Sequence, residues 1–134
     1  AFEAALNRRG YTACHFPQSI DISTVGGWVA TRSSGQFSSR YGSIEDALAA
    51  LEVVLADGTV VRTRPAPRAA AGPDLRQIFL GSEGTLGVIT EVTLRLHPLP
   101  QHRELAAYRF PTFAQGLEAI RGLIRDGWRP PVIR

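Results

Sequence analysis

Several residue types are scarce in this chain, and each scarcity excludes a class of structure. A single cysteine, Cys14, cannot form an internal disulfide, and with only three histidines beside it we expect no dedicated metal site. No apolar run approaches the ~18 residues that a membrane-spanning helix needs. The start of the chain carries no charged segment followed by an apolar one, as a secretory signal would. These features predict a reducing, cytoplasmic location, with peripheral membrane attachment left open for a larger parent protein.

Lysine is absent altogether, so all fifteen basic residues are arginines, against twelve acidic residues and a formal net charge of +3. The arginines are dispersed along the chain. Proteins that bind nucleic acid concentrate basic residues on one face or arm and interleave aromatic side chains for stacking. We therefore expect no nucleic-acid partner.

The length of 134 residues suits one domain with a single core, and a hydrophobic fraction of 44% is typical of folded globular chains. The chain starts with Ala1 inside a predicted helix and stops in a strand-like Pro-Pro-Val-Ile-Arg stretch. We expect it to be a piece of a larger protein.

The stretch from Phe16 to Asp46 is rich in serine, threonine and glycine around the Gly26-Gly27 pair. Such residues leave backbone N–H groups accessible and add short hydroxyl donors, which together can cradle a phosphate-bearing or polar planar ligand. Ser23 or Thr24 would cap a helix starting near Val25, where the free amides favour an anion. Simple capping without a ligand is the alternative.

A second glycine-spaced stretch runs from Gly81 to Gly87, and we expect it to close the same pocket. A dinucleotide fingerprint would require a strand before the glycines and a helix after them, whereas here a predicted helix precedes and a strand follows. The chain also lacks a Gly-Lys-Ser/Thr sequence, which excludes a P-loop. The stretch is either a plain helix-to-strand connection or a backbone surface that lies along a flat heterocycle.

Hydrophobic periodicity predicts an α+β chain. Predicted helices cover residues 1–9, a short segment from 25, 75–80 after a cap at Asp74, and 113–125. Predicted strands cover 11–16, 48–55, 60–62, 88–96 and 105–110, with another starting at 132. Asp57-Gly58 between two apolar runs predicts a hairpin. Residues 35–42 and 64–73 are predicted loops, 43–46 a turn or cap, and 98–102 a domain boundary.

Isolated polar residues offer no persuasive catalytic pair. His15 at a strand end could serve as an acid or base, although a structural role is the commoner one for a lone histidine. Cys14 is interpreted as buried and inert, and Glu45-Asp46 as a capping pair. No nucleophile and base are spaced in the sequence in a way that indicates hydrolysis. Any chemistry is therefore expected to come from a cofactor.

Three stretches taken together resemble a known family in order and spacing: SIDISTVGGWVATRSSGQFSSRYGSIEDAL, LEVVLADGTVV and GSEGTLGVITEVTLRLHPLP. They are similar to the second lobe of the FAD-binding domain of the FAD-binding type 4 (PCMH, or vanillyl-alcohol oxidase) flavoproteins. The Gly-Gly-Trp and Thr-Arg-Ser-Ser-Gly sequences are nearest to the alkyldihydroxyacetonephosphate synthase branch. The resemblance implies a mixed or antiparallel sheet flanked by helices over 1–100, and the first β-α of a cap domain over 101–134.

The resemblance also implies FAD as the cofactor and a set of residues that contact it. One group would lie along the flavin and pyrophosphate, a second would add a further contact, and a third would wrap the adenine end. In that order they are Gln18, Ser19, Ile20, Asp21, Ile22, Ser23 and Thr24; Thr31, Arg32, Ser33 and Ser34; and Glu83, Gly84, Thr85, Leu86, Gly87, Val88 and Ile89. Arg134 falls where the synthases have an arginine near the active site, which makes it the catalytic candidate.

The implied activity of the parent is a non-redox use of FAD, in which the acyl group of acyl-dihydroxyacetone phosphate is exchanged for a fatty alcohol in ether-lipid synthesis. Its substrate would thus be a small or lipid-like molecule. One alternative is an FAD-linked oxidase or dehydrogenase of a D-2-hydroxy acid. Another is a non-catalytic piece that self-associates, for instance as a homodimer, without flavin. We expect the isolated piece to hold FAD weakly and to be inactive.

Overall fold

The computed structural model describes residues 1–66, 70 and 72–133, and within them the chain is an α+β structure with antiparallel sheets. In chain order the elements are α1 (Phe2–Asn7), β1 (Tyr11–Thr12), α2 (Val25–Ala30), α3 (Ser38–Tyr41), α4 (Ile44–Ala47), β2 (Leu48–Val54), β3 (Val60–Arg62), α5 (Arg76–Phe79), β4 (Val88–Leu94), β5 (His97–Pro98) and α6 (Phe113–Arg125).

The main sheet has three strands in the order β3-β2-β4, with β2 in the centre and antiparallel to both neighbours. The Asp57-Gly58 hairpin between β2 and β3 is confirmed: Asp57 accepts a hydrogen bond from the Thr59 amide at 2.9 Å, and Gly58 has a φ of +84°. A smaller sheet pairs β1 with β5. The predicted strand over 11–16 is shorter than expected, because β5 offers only two residues for pairing.

The core lies between β2, α2 and the segment around α5. Val29, Ile44 and Val53 are completely buried. The other buried members of this cluster are Trp28, Leu48, Leu51, Phe79 and Leu80. Because α2 contributes Trp28 and Val29, the polar residues on either side of this helix are anchored directly to the core.

Capping explains two of the short helices. Thr24, rather than Ser23, caps α2, and its Oγ1 accepts from the Gly27 amide at 3.0 Å. Ser43 and Asp46 form a capping box at α4, with the Ser43 amide donating to Asp46 Oδ2 at 2.8 Å. The capping interpretation is thus confirmed for Asp46. Glu45 instead pairs with Arg32 at 2.9 Å.

Three predictions of secondary structure are wrong, and the third is the strand from residue 132 described below. Residues 38–41, predicted as loop, form α3, because Phe37 packs edge-on against Phe16 with 4.7 Å between ring centroids and this contact outweighs the low helix preference of serine. The predicted strand over 105–110 is not formed in the described residues. All of these residues are exposed, and no strand lies beside them to share hydrogen bonds.

The helix predicted over 113–125 is confirmed as α6, capped by Thr112, whose Oγ1 accepts from the Gln115 amide at 3.3 Å. Its apolar side chains Leu117, Ile120 and Leu123 remain exposed. Residues 132 and 133 form no strand, and Arg134 lies outside the described residues, as does part of the predicted loop over 64–73.

Arg76 at the start of α5 holds the chain around it by hydrogen bonds. Its Nη1 donates to the carbonyl oxygens of Leu48, Ala49 and Ala66 at 2.9–3.1 Å. Its Nε and Nη2 each donate to the Asp74 carboxylate at 2.8 Å, and these bonds lower the pKa of Asp74. The side chain is only 12% exposed, so this arginine ties α5 to the start of β2.

We expect Arg76→Met to lower the free energy of unfolding by roughly 2–4 kcal/mol, since it leaves three carbonyl groups without this donor and removes the ion pair with Asp74. Urea unfolding followed by circular dichroism measures the loss. Arg121→Met is the matched control, because Arg121 pairs with Glu118 on the exposed surface of α6 and should change stability by less than about 0.5 kcal/mol. Equal effects of the two substitutions would contradict the assigned role.

Candidate functional site

The segment Gln18–Thr24 is a series of hydrogen-bonded turns on the protein surface. The Ile20 amide donates to Pro17 O at 3.1 Å, and the Ser23 amide donates to Ser19 O at 2.9 Å. Ile20 packs against the core, whereas Ile22 is 90% exposed. The segment therefore has one apolar anchor facing inward and one apolar side chain facing outward among polar neighbours.

The hydroxyl of Ser23 is fully engaged within the protein. It donates to Ser19 O at 2.6 Å, and it accepts from Ser19 Oγ at 3.1 Å and from the indole Nε1 of Trp28 at 2.6 Å. These contacts fix the shape of the turns. Any ligand contact of Ser23 would therefore have to use its backbone groups.

The first turn of α2 lies directly on β4. A side-chain Cβ at Gly26 would stand 3.0 Å from the carbonyl oxygen of Ile89, so only glycine allows this approach without displacement. The Val25 and Gly26 amides belong to the first helical turn, where N–H groups have no intrahelical acceptor. The two glycine-containing segments of the sequence therefore meet at Gly26 and Ile89.

The segment Thr31–Ser34 follows α2, and each of its side chains has a protein partner. Thr31 Oγ1 donates to Gly27 O at 2.9 Å, and Arg32 pairs with Glu45. Ser33 Oγ lies 2.8 Å from His15 Nε2, and Ser34 Oγ lies 2.7 Å from Ser43 Oγ. Any ligand contact from this segment has to use backbone groups or the exposed parts of Thr31, Arg32 and Ser34.

The segment Gly81–Ile89 is fastened to the end of α2 by its backbone. The Gly81 amide donates to Val29 O at 3.1 Å, and the Glu83 amide donates to Ala30 O at 3.0 Å. Leu86 and Val88 remain exposed. Since α5 precedes these glycines and β4 follows them, the exclusion of a dinucleotide fingerprint is confirmed.

His15 is buried, with 4% of its surface exposed, and its ring packs on Trp28 with 5.3 Å between centroids. Its Nδ1 is buried without a hydrogen-bond partner among the described residues. Burial lowers the pKa of His15 below the ordinary value of 6.5. Nothing in the local sequence indicated the contact with Ser33, eighteen residues away.

Cys14 is also buried, and burial is the main cause that raises the pKa of its thiol. A raised pKa leaves little thiolate at neutral pH, in line with an inert structural cysteine. No three or more His, Cys, Asp or Glu side chains converge on a common metal position in the described chain. None of the helices in the described ranges combines the length and apolar character needed to cross a bilayer.

A groove of about 270 Å³ opens beside the contact between Gly26 and Ile89. Its walls come from α1, the start of α2 and the outer part of β4. Phe2, Val25 and Val92 are among its apolar lining residues. The groove borders both glycine-containing segments, and it makes this side of the sheet concave.

Gly35→Ala should disturb the polar segment, because a Cβ at residue 35 would stand 2.6 Å from the amide nitrogen of Phe16, just before Pro17. We expect roughly 1–3 kcal/mol of destabilisation in urea unfolding. Gly122→Ala is the control: it lies in α6 with open space around it, and alanine there should stabilise by up to about 1 kcal/mol. A neutral Gly35→Ala would contradict the close approach.

The lowered pKa of His15 predicts a stability that falls in mild acid. The unfolded chain binds a proton near pH 6.5, whereas the folded protein resists protonation down to a lower pH. The contribution of His15 is therefore fully present above about pH 6.5 and decreases as the pH falls from there through the folded-state pKa. Unfolding free energies from pH 8 to pH 5 should show this decrease, and His15→Gln should remove that part of it. An identical pH profile for both proteins would refute the assignment.

Comparison with known proteins places these features in a family. Residues 1–64 match the family model described as an FAD binding domain. Alkyldihydroxyacetonephosphate synthase of Caenorhabditis elegans is 41% identical over 134 residues, covering 100% of this chain and 22% of that protein. An uncharacterised FAD-linked oxidoreductase of Escherichia coli K12 is 47% identical over 133 residues, covering 98% of this chain and 28% of that protein.

Two further comparisons extend this result. The mitochondrial D-lactate dehydrogenase (cytochrome) of Arabidopsis thaliana is 52% identical over 105 residues, covering 78% of this chain and 18% of that protein. A solved structure of alkyldihydroxyacetonephosphate synthase superposes with a TM-score of 0.83 at 36% identity, covering 98% of this chain and 23% of that chain. The chain thus spans less than a third of the length of these relatives.

The described residues fit a long, polar and partly planar cofactor. Neutral backbone donors, namely the amides in the first turn of α2, match a pyrophosphate and the heteroatoms of a ring system. The exposed Ile22 offers an apolar contact for a flat ring, and the buried Nδ1 of His15 is a polar atom still without a partner. The match over residues 1–64 identifies this part of the chain as an FAD binding domain with FAD as its cofactor, and the similarity to the synthase and to the FAD-linked oxidoreductase extends over almost the whole chain.

Proposed function

We propose that the whole protein is an FAD-dependent enzyme of the alkyldihydroxyacetonephosphate synthase type, which exchanges the acyl group of acyl-dihydroxyacetone phosphate for a fatty alcohol. The observation that carries this proposal is the superposition on the solved synthase, which extends over 98% of the chain at 36% identity. The resemblance of the Gly-Gly-Trp and Thr-Arg-Ser-Ser-Gly sequences to the synthase branch supports the same proposal. The substrate would be a lipid-like phosphate ester.

In this proposal residues 1–100 form the second lobe of the FAD-binding domain, and residues 101–134 begin a cap domain. The change in burial supports such a boundary. The core cluster ends within β4, whereas all of residues 101–110 and most of α6 are exposed. An amphipathic helix with an uncovered apolar face is typical of a domain whose remaining elements come from elsewhere in the chain.

The proposed FAD contacts are the three segments Gln18–Thr24, Thr31–Ser34 and Glu83–Ile89. Support comes from their geometry, since α2 joins the first two and holds the third by backbone hydrogen bonds at its end. Arg134 remains the catalytic candidate by resemblance alone and lies outside the described residues. The two other arginines near this end, Arg125 and Arg129, are exposed.

FAD supplies the chemistry when it is bound, and the residues of this chain bind and orient it. Backbone amides fixed by the packed helix would select the ligand by shape and cost little reorganisation when it binds. The exposed side chains of Ile22, Leu86 and Val88 would keep water from the flat parts of the cofactor. A cytoplasmic location remains part of the same proposal, with peripheral membrane attachment of the parent left open.

A second candidate is an FAD-linked oxidoreductase acting on a D-2-hydroxy acid. The relatives named as an FAD-linked oxidoreductase and a D-lactate dehydrogenase share 47% and 52% identity with the chain, more than the synthases do over their matched ranges. The same FAD-binding scaffold can serve either chemistry. A third candidate, a flavin-free self-associating piece or homodimer, is favoured only by the exposed apolar side chains of α6.

An anaerobic visible spectrum of the whole protein separates these candidates. We expect D-2-hydroxy acids to leave the flavin oxidised, and long-chain acyl-dihydroxyacetone phosphate with a fatty alcohol to release fatty acid. Omitting the alcohol is the control for simple hydrolysis. Bleaching of the flavin by a hydroxy acid would replace the synthase proposal with the oxidoreductase. A colourless, self-associated protein that takes up no added FAD would overturn both.

A further inference from the structure

Trp28 connects the two polar segments on either side of α2. Its indole Nε1 donates to Ser23 Oγ at 2.6 Å, in the segment before the helix. Its carbonyl oxygen accepts from the Ser33 amide at 2.9 Å, in the segment after the helix. The side chain is 3% exposed and also packs edge-on against Phe2. One core residue thus holds a serine on each side.

His15 adds a second connection through the same ring. It packs on Trp28, and its Nε2 lies 2.8 Å from Ser33 Oγ. A buried imidazole whose Nδ1 has no partner among the described residues costs stability compared with a phenyl ring of similar size. Packing alone therefore does not account for a histidine here. Its polar contact with Ser33 is what a phenylalanine could not provide.

The contacts form one continuous path from Ser19 through Ser23, Trp28 and His15 to Ser33. Every side chain between the two ends is at least half-buried. The path therefore has little freedom to rearrange when a ligand arrives. It links the two segments at the level of side chains as well as through the short helix between them.

We propose that Trp28 and His15 are positioning residues, which hold the segments Gln18–Thr24 and Thr31–Ser34 in the arrangement that accepts FAD. This inference rests on the proposed FAD contacts of those two segments. Both rings act from the core side and need not touch the cofactor. Ordering the segments during folding removes an entropic cost from binding, so the affinity for FAD depends on the path being intact.

The test is an FAD titration of the apo form of the whole protein, followed by flavin fluorescence, for Trp28→Phe, Ser23→Ala and the double variant. Trp28→Phe removes one hydrogen bond of the path and Ser23→Ala removes three, and each substitution should raise the Kd for FAD about 2- to 10-fold. The effect of the double variant should fall short of the sum of the two single effects, because the bond between the two side chains is lost in both single variants. Trp128→Phe, at the other and exposed tryptophan, is the matched control and should leave the Kd unchanged.

The histidine is tested by rescue. His15→Gln keeps a polar atom within reach of Ser33 and should bind FAD within about 2-fold of the parent, whereas His15→Phe keeps the ring and should lose about 2- to 10-fold. His102→Gln, at an exposed histidine, is the control. The visible circular dichroism of bound flavin should change in His15→Phe and not in His15→Gln, because it reports how the cofactor is held.

Unfolding of each apo variant in urea distinguishes positioning from simple core packing. Variants that lose stability while the Kd for FAD is unchanged would overturn the inference, and so would additive effects of Ser23→Ala and Trp28→Phe. If His15→Phe does not fold, the Kd values of Trp28→Phe, Ser23→Ala and the double variant test the inference without it. A parent protein that binds no FAD would overturn the proposed function as well, whereas a parent that binds it with all variants unaffected overturns only this inference.

Discussion

The close approach of α2 to β4 is the constraint on which the rest of the structure depends. Gly26 allows the helix backbone to lie against the carbonyl of Ile89, and this position turns Trp28 and Val29 into the core. A helix of six residues is not stable in isolation, so α2 exists because it is packed in this way. The polar segments before and after it take their positions from the same contact, and the Gly81–Ile89 segment hydrogen-bonds to its end.

The polar side chains around α2 are held in place by other groups of the protein. The hydroxyls of Ser23, Ser33 and Ser34 are engaged by other protein groups. Arg32, the one cation of the Thr31–Ser34 segment, is paired with Glu45. What such a surface presents to a ligand is a fixed arrangement of amides, exposed edges and a few apolar side chains. Recognition by shape and hydrogen-bond direction suits a large cofactor that has to be held in one orientation.

Local sequence patterns predicted those features that depend on interactions between residues close together in the sequence. The Asp57-Gly58 hairpin, the caps at Thr24 and Asp46, and the apolar spacing of α6 each depend on a few adjacent residues. The prediction of a strand over 105–110 was wrong because a strand needs a neighbouring strand for hydrogen bonding. The β-propensity of its own residues does not provide one. The helix α3 was missed because Phe37 and Phe16, twenty-one residues apart, pack on each other.

The site was predictable in its segments but not in its contacts. The density of serine and glycine pointed to the stretch around α2, and the resemblance named FAD. The contact of His15 with Ser33, and the hydrogen bonds of Arg76 to three carbonyls, involve residues 10 to 28 positions apart and leave no local signature. The individual FAD contacts and the role of Arg134 remain predictions, because they come from the resemblance and not from side-chain geometry.

The pairing of Arg32 with Glu45 has a consequence for how an anionic ligand is attracted. With that cation neutralised, the surface around α2 offers short-range dipoles in place of a free positive charge. The dipolar attraction at a helix end falls off within the first turn, unlike the attraction between separated charges, which acts over a longer range. Capture of a pyrophosphate at this surface would then be governed by fit at contact distance rather than by attraction from afar.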